Sequence, residues 1–417
     1  MQKSINIFSF DTVIFFLLFG LLPIDMLNGF LLKEIQINYV ISISQFYKII
    51  LLALLFIRVS SVERIITLSL FSLLLLPSFF QFFKSFDFKL ILIDLVKIIK
   101  YLASILAFFY FRRIFIYKRF LLKSVYKWMF FSFGIIVINI FLRLFNLGFP
   151  MYKMHGLEIG SKGFFYAGNE ISATLLIVSS FLLFWFKLHK KRILFMFIGF
   201  LAIVTSLYIT SKTAILGSVL TLIYMQLLNP SSSKISAKTI FFYIIFFLFI
   251  IPIGTYSIIS YLDSSDFMTR ASYYWDRLDF YTFIFSSRNI YLFDFIDIYK
   301  KEYNIFEMFF GVGQSTFENL NNDTIIELDF FDIYFAYGLI GVILFVFYIL
   351  YILINIKLKT MRSNIFIFSS YSMYISVLLI TLSFFSGHIF NSGMAAVFIG
   401  CVFALMYYNS NYENKIS

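Results

Sequence analysis

Apolar residues run along this chain in stretches long enough to cross a bilayer, separated by short polar links. A crossing takes about 20 residues of helix. Stretches of that kind fall at roughly 8–24, 36–57, 65–83, 90–111, 125–145, 168–186, 192–210, 212–228, 239–260, 329–356, 364–385 and 389–408. Only helices satisfy their own backbone in such surroundings. The pattern therefore predicts an all-α, polytopic membrane protein with about twelve transmembrane helices. Residues 1–417 read as a single membrane domain, and 261–328 as a large extracytoplasmic loop within it. Acids spaced among apolar residues in IYLFDFIDIYKKEYNIFEMFF predict that the loop is partly helical. The first apolar run is flanked by Asp11 and Asn28 and reads as a span, not a signal peptide.

Composition strengthens this reading. The chain is 61% hydrophobic and 13% charged, whereas soluble domains carry about 25% charged residues. The net charge of +12 would suit a nucleic-acid binder, but its placement argues otherwise. Alternate links carry Arg58 and Arg64, then Arg112, Arg113, Lys118, Arg119, Lys123 and Lys127. The later ones carry Lys187, Lys190, Lys191 and Arg192, then Lys234 and Lys238, then Lys357, Lys359 and Arg362. Against these stands one acid, Glu63. Short basic links stay in the cytoplasm, which places both termini there and leaves the acidic 260–325 interval outside. Cys401 is the only cysteine, so an intramolecular disulfide is excluded.

Polar residues at the outer ends of the spans are the candidate chemistry, because ionisable groups near hydrocarbon are expensive. Glu170 closes KGFFYAGNE at 162–170, where it and Asn169 equally suit plain helix capping. Lys212 lies between Ser211 and Thr213; it either snorkels or aims an ammonium at phosphate. Arg288 follows Ser286 and Ser287 and offers a planar fork that fits phosphate, or simply pairs with a nearby acid. Gly311-Val312-Gly313 lacks the rest of any nucleotide-binding pattern and reads as a turn or backbone nest. Glu327, Asp329 and Asp332 enter an apolar run together. Helix-start preference accounts for some of this, and one of the three is a candidate proton acceptor. His388 bonds an anion or caps the last span. Acids and strong bases at one membrane face suit chemistry on a lipid-anchored anion, or transport of an anionic substrate.

In order and spacing, GFFYAGNE (163–170), SKTA (211–214), SSR (286–288), GVG (311–313), ELDFFDIYFAYGLIG (327–341) and GHIFNSG (387–393) resemble the bacterial O-antigen ligase and polysaccharide polymerase superfamily. The ligase branch has a histidine ahead of a pair of glycines spaced as Gly338 and Gly341 are. Glu327 occupies that place here, which looks like the repeat-unit polymerase branch. The resemblance implies a GT-C-like membrane glycosyltransferase in the bacterial cytoplasmic membrane, its site facing outward. Donor and acceptor would be undecaprenyl-diphosphate-linked oligosaccharides, joined with inversion, with no metal, cofactor or nucleic acid and with a chain-length regulator as a further expected partner. Arg288 would be the main diphosphate ligand, Lys212 a second and Arg143 a third. Glu327 would orient or deprotonate the acceptor, Asp329 and Asp332 would hold sugar hydroxyls or fix a basic residue, and His388 and Glu170 would be further substrate-binding residues. The product would be O antigen or capsule. A ligase acting on finished glycan, a flippase of lipid-linked sugar, and a cell-wall polymerase of the shape and division class are the alternatives.

Overall fold

The computed structural model describes residues 10–35, 42–154, 157–228, 282, 285–322, 324–362, 365–385 and 387–409. The predicted span at 239–260 lies outside them, as does the predicted loop from 261 to 281. Fourteen α-helices occur among the described residues: α1 (Phe10–Phe30), α2 (Ile43–Arg58), α3 (Ser61–Ser85), α4 (Phe88–Tyr117), α5 (Leu122–Phe141), α6 (Gly168–Leu188), α7 (Arg192–Ile209) and α8 (Lys212–Leu227) precede α9 (Arg288–Glu302), α10 (Ile305–Phe310), α11 (Gln314–Leu320), α12 (Asp329–Thr360), α13 (Ser369–Phe385) and α14 (Ala396–Ala404).

Local sequence accounts for many boundaries. Ser42 with Gln45, Ser60 with Glu63, and Asn304 with Glu307 form reciprocal capping boxes that open α2, α3 and α10. Thr210 takes a left-handed conformation and Ser211 caps α8, so α7 and α8 are two helices and not one. A two-stranded antiparallel hairpin, β1 (Tyr152–Met154) and β2 (Leu157–Ile159), is the only sheet among the described residues.

The expectation of about twelve transmembrane helices in a GT-C-like arrangement is corrected. Among the described residues, six helices are long and apolar enough to cross a membrane: α1, α3, the run Arg119–Phe145 that contains α5, α6, α7 and α12. Counting apolar stretches overshot for identifiable reasons. α2 has only 16 residues. α4 is long, but Asp94, Lys97 and Lys100 charge its first half. The predicted 389–408 span yields a helix of 9 residues, because its first part is a loop.

The helices enclose two cores. The larger is built from α1, α2, the second half of α4, α5, α6, α7, α8, the end of α12, α13 and α14, with α6 almost wholly buried at its centre. The smaller joins α3, the first half of α4, α9, α11 and the start of α12 around Phe295, Phe317 and Phe335. The flanks of α3 and α12 instead present bare apolar side chains such as Ile65 and Phe347, as lipid-facing helices do.

α12 is broken at Gly338, which has φ 62° and ψ −164°. The loop between α10 and α11 seats in that break. The N–H of Gly313 donates to the Ala336 carbonyl at 2.8 Å, replacing a helical bond lost at the kink. A side chain at Gly338 would meet the Phe309 carbonyl oxygen at 2.4 Å, and one at Gly311 would meet that of Ala336 at 2.2 Å. The GVG and YGLIG motifs are thus two halves of one contact.

Candidate functional site

The break isolates a short first segment of α12, and that segment carries two acids, Asp329 and Asp332. Asp329 Oδ2 accepts the N–H groups of Ile389 at 2.9 Å and Phe390 at 3.0 Å. Asp332 Oδ1 accepts the N–H of Ile326 at 3.0 Å. From the start of α6, Glu170 Oε2 accepts from Ser392 Oγ at 2.8 Å and the Met394 N–H at 2.9 Å. These carboxylates anchor the 387–395 loop and the chain leading into α12. Asp329 and Asp332 are fully buried.

Glu327 is placed differently. It lies just before α12 at φ 65°, outside the helical conformation, with its side chain 40% exposed. Its Oε2 accepts from Arg288 Nη2 at 2.7 Å, Arg288 Nε at 3.2 Å and Asn169 Nδ2 at 3.2 Å. His388 Nε2 lies 3.6 Å from the other carboxylate oxygen. Arg288 is the first residue of α9 and is nearly buried. Of nine non-glycine residues with positive φ among those described, Ser286, Ser287, Glu327 and His388 gather at this cluster. Left-handed backbone costs about 1–3 kcal/mol per such residue, so the surrounding contacts must hold it. One such contact is severe: a Cβ on Gly387 would sit 1.7 Å from the Glu327 carbonyl oxygen.

Burial pushes the Glu327 carboxyl up, but the neighbouring His388 and the Arg288 guanidinium outweigh it and hold the group at about 2. Burial pushes His388 down, but Glu327, then Asp329 and Asp332, raise it above its ordinary value. At neutral pH the cluster is a carboxylate held by the Arg288 guanidinium, with the His388 imidazole beside it.

Of the predicted site residues, Arg288, Glu327 and His388 come together, and Glu170, Asp329 and Asp332 fix the framework around them. Arg143 stands in a short turn after α5 and pairs with Glu158 on β2. Lys212, half-buried, opens α8. Asn169 was read only as a cap, and its contact with Glu327 was missed; no sequence signal joins residues 158 positions apart. Lys97 and Lys100 were missed too, although two lysines three residues apart inside a predicted span are a signal in themselves.

Beside this cluster runs a groove of about 380 Å³ between α3, α4 and α12. Ile333, from the α12 segment at the site, lines it together with Tyr101, Phe345 and Phe390, whose ring packs on that of Phe345 at 5.2 Å, and with Glu63 and Arg112 from the start of α3 and the last turns of α4. Phe390 is one of the residues whose N–H bonds Asp329.

Residues 276–411 match a family described as O-antigen ligase like membrane protein. The match supports a broad likeness of this stretch to the O-antigen ligase/polymerase membrane superfamily. It covers about a third of the chain and contains Arg288, Glu327, Asp329, Asp332 and His388. The match supports a general role in lipid-linked O-antigen or capsule biogenesis. No curated protein and no solved structure matches the chain.

Proposed function

We propose that the protein is a glycosyltransferase of the O-antigen ligase type, which moves a glycan from a polyprenyl-diphosphate-linked donor to an acceptor hydroxyl at the Arg288–Glu327–His388 cluster. The observation that carries this is the shared guanidinium: Arg288 is bound to a carboxylate that is 40% exposed, so an incoming diphosphate can compete for it. The apolar groove lined by Ile333 and Phe390 suits the donor's lipid chain.

The acceptor oxygen attacks the anomeric carbon as the bond from that carbon to the diphosphate oxygen breaks, and the electron pair leaves with the diphosphate. Negative charge grows on the leaving group, so a fixed cation beside it lowers the barrier. The hydroxyl proton passes to a base of the cluster. Glu327 held at about 2 is a weak base at rest. Drawing Arg288 toward the diphosphate removes one of the influences that hold it down, so donor binding raises its basicity where the proton is released. His388 keeps the carboxylate oriented.

The histidine expected at position 327 in a ligase is supplied in space by His388, from another loop, which supports the ligase reading. One observation favours a repeat-unit polymerase instead: position 327 itself is a carboxylate. Deleting the gene in its host and sizing the surface glycan on a gel separates these readings. Long lipid-linked chains left unattached mean a ligase. Single repeats reaching the acceptor mean a polymerase. If even single repeats fail to reach the outer face, the protein is a transporter and the proposal falls.

A further inference from the structure

The cations around the 387–395 loop are unequally engaged. Arg288 is bound to Glu327. Lys97 binds Glu318 at 2.7 and 2.9 Å, and Lys48 binds Asp25 at 2.7 Å. Lys100, one turn beyond Lys97 on α4, has neither a hydrogen bond nor an ion pair among the described residues. Its stem runs past the bare face of Gly393, where a Cβ would lie 3.8 Å from its Cγ, Cδ and Cε. The charged groups in electrostatic reach are Glu170, Lys97, Lys48 and Glu318. Glu170 is occupied with the loop, and Lys97, Lys48 and Glu318 are in the pairs just named. An ammonium set among apolar helices without an anion is expensive to keep. The same loop therefore has the Glu327 cluster at its His388 end and an uncompensated cation at its Gly393 end.

Two further observations give the missing anion its chemistry. Arg288 is charge-balanced by Glu327, so it cannot neutralise a diphosphate alone. Tyr101, the chain neighbour of Lys100, lines the apolar groove together with Phe390. A lipid chain lying in that groove would carry its phosphate toward the loop. A lysine, as a point charge, accepts tetrahedral phosphate without a fixed approach.

We propose that Lys100 is the second cation of the site and binds a phosphate oxygen of the polyprenyl diphosphate whose lipid chain occupies the groove. The inference rests on the donor class in the reading above and adds a residue that lies outside the matched family region.

The test uses the full-length protein in phosphatidylcholine nanodiscs, titrated with undecaprenyl diphosphate and, separately, with uncharged undecaprenol. Folded fraction is measured by size-exclusion chromatography, and binding is expressed per folded molecule. Lys100→Gln is expected to weaken undecaprenyl diphosphate binding about ten- to hundredfold, the effect of losing one charge-assisted contact, while leaving undecaprenol unchanged. Lys100→Arg should restore most of it, and Lys97→Gln should bind as wild type does. If Lys100→Gln binds the diphosphate like wild type while Arg288→Ala does not, the inference fails and the donor reading stands. If the wild-type protein binds the diphosphate no better than undecaprenol, both fail. If phosphatidylglycerol competes as well as the diphosphate, Lys100 is a phospholipid headgroup contact, and the inference is overturned.

Discussion

Two carboxylates at opposite ends of the helix bundle have similar partners and different settings. Asp11, at the start of α1, is 1% exposed. It accepts from Arg58 Nε at 3.0 Å and Nη2 at 3.1 Å, from Lys118, and from the Tyr110 hydroxyl at 3.3 Å. Each of its partners stands on or beside a regular helix, and the Arg113 guanidinium donates to the Arg58 carbonyl at 2.8 Å. Glu327 also faces an arginine and a second basic side chain, but on left-handed backbone and partly open. The first arrangement holds α1, α2 and α4 together. The second leaves a guanidinium that another anion can reach. The same ion-pair chemistry fastens helices where it is closed and serves ligands where it is open.

Substitution can break that comparison most sharply at Arg288. Arg288→Ala should lower glycan transfer about 10²- to 10³-fold, typical of losing a fixed donor to transition-state charge, at near-normal membrane levels. Quantitative gels of the complemented deletion strain measure it. At the closed end, Asp11→Ala should leave turnover per folded molecule unchanged. It should cost about 1–3 kcal/mol of stability, less than a fully buried pair because Arg58 and Lys118 are partly exposed; thermal unfolding in detergent reads this directly.

Gly387→Ala sharpens the contrast from the backbone side. Its Cβ must displace the Glu327 carbonyl, so transfer should fall about tenfold or more with only a modest loss of melting temperature. The smallest effect is on pH dependence. Glu327 is depressed from 4.5 to about 2, so its stabilising contribution is present above 4.5 and is lost as pH falls toward 2. His388 is raised above 6.5, so its contribution is full below 6.5 and is lost as pH rises through its folded value. Melting temperature against pH should show both limbs, and His388→Gln should remove the alkaline one.

The sequence was most legible where structure is local. The starts of α6, α7 and α8 fall at the predicted 168, 192 and 212, because glycines, a basic cluster and Ser211 mark them within a few residues. The span count failed where apolar character and helix length part company. Phe390 is as apolar as any membrane residue, yet its backbone N–H is held by Asp329, and a loop results. In the site, the pairing of Arg288 with Glu327 crosses 39 positions, and Glu170 reaches Ser392 across 222. Residue type could nominate these groups. It could not show that Glu170, Asp329 and Asp332 are engaged with backbone while Glu327 remains open, since that division depends on where a distant loop lies.

The interlocked glycines at 311 and 338 have a consequence for how variation is tolerated. Each excludes a side chain because the other segment's carbonyls fill the space, and Ala336 and Asp332 link this contact to the chain that presents Glu327. In a saturation mutational map, both positions would be as intolerant as the charged cluster itself, although neither glycine has a group that could touch a sugar or a phosphate. Part of the pattern by which this superfamily is recognised would then register a fitting tolerance between two backbones, and a search for reactive residues that ranks positions by intolerance would return the mount alongside the tool.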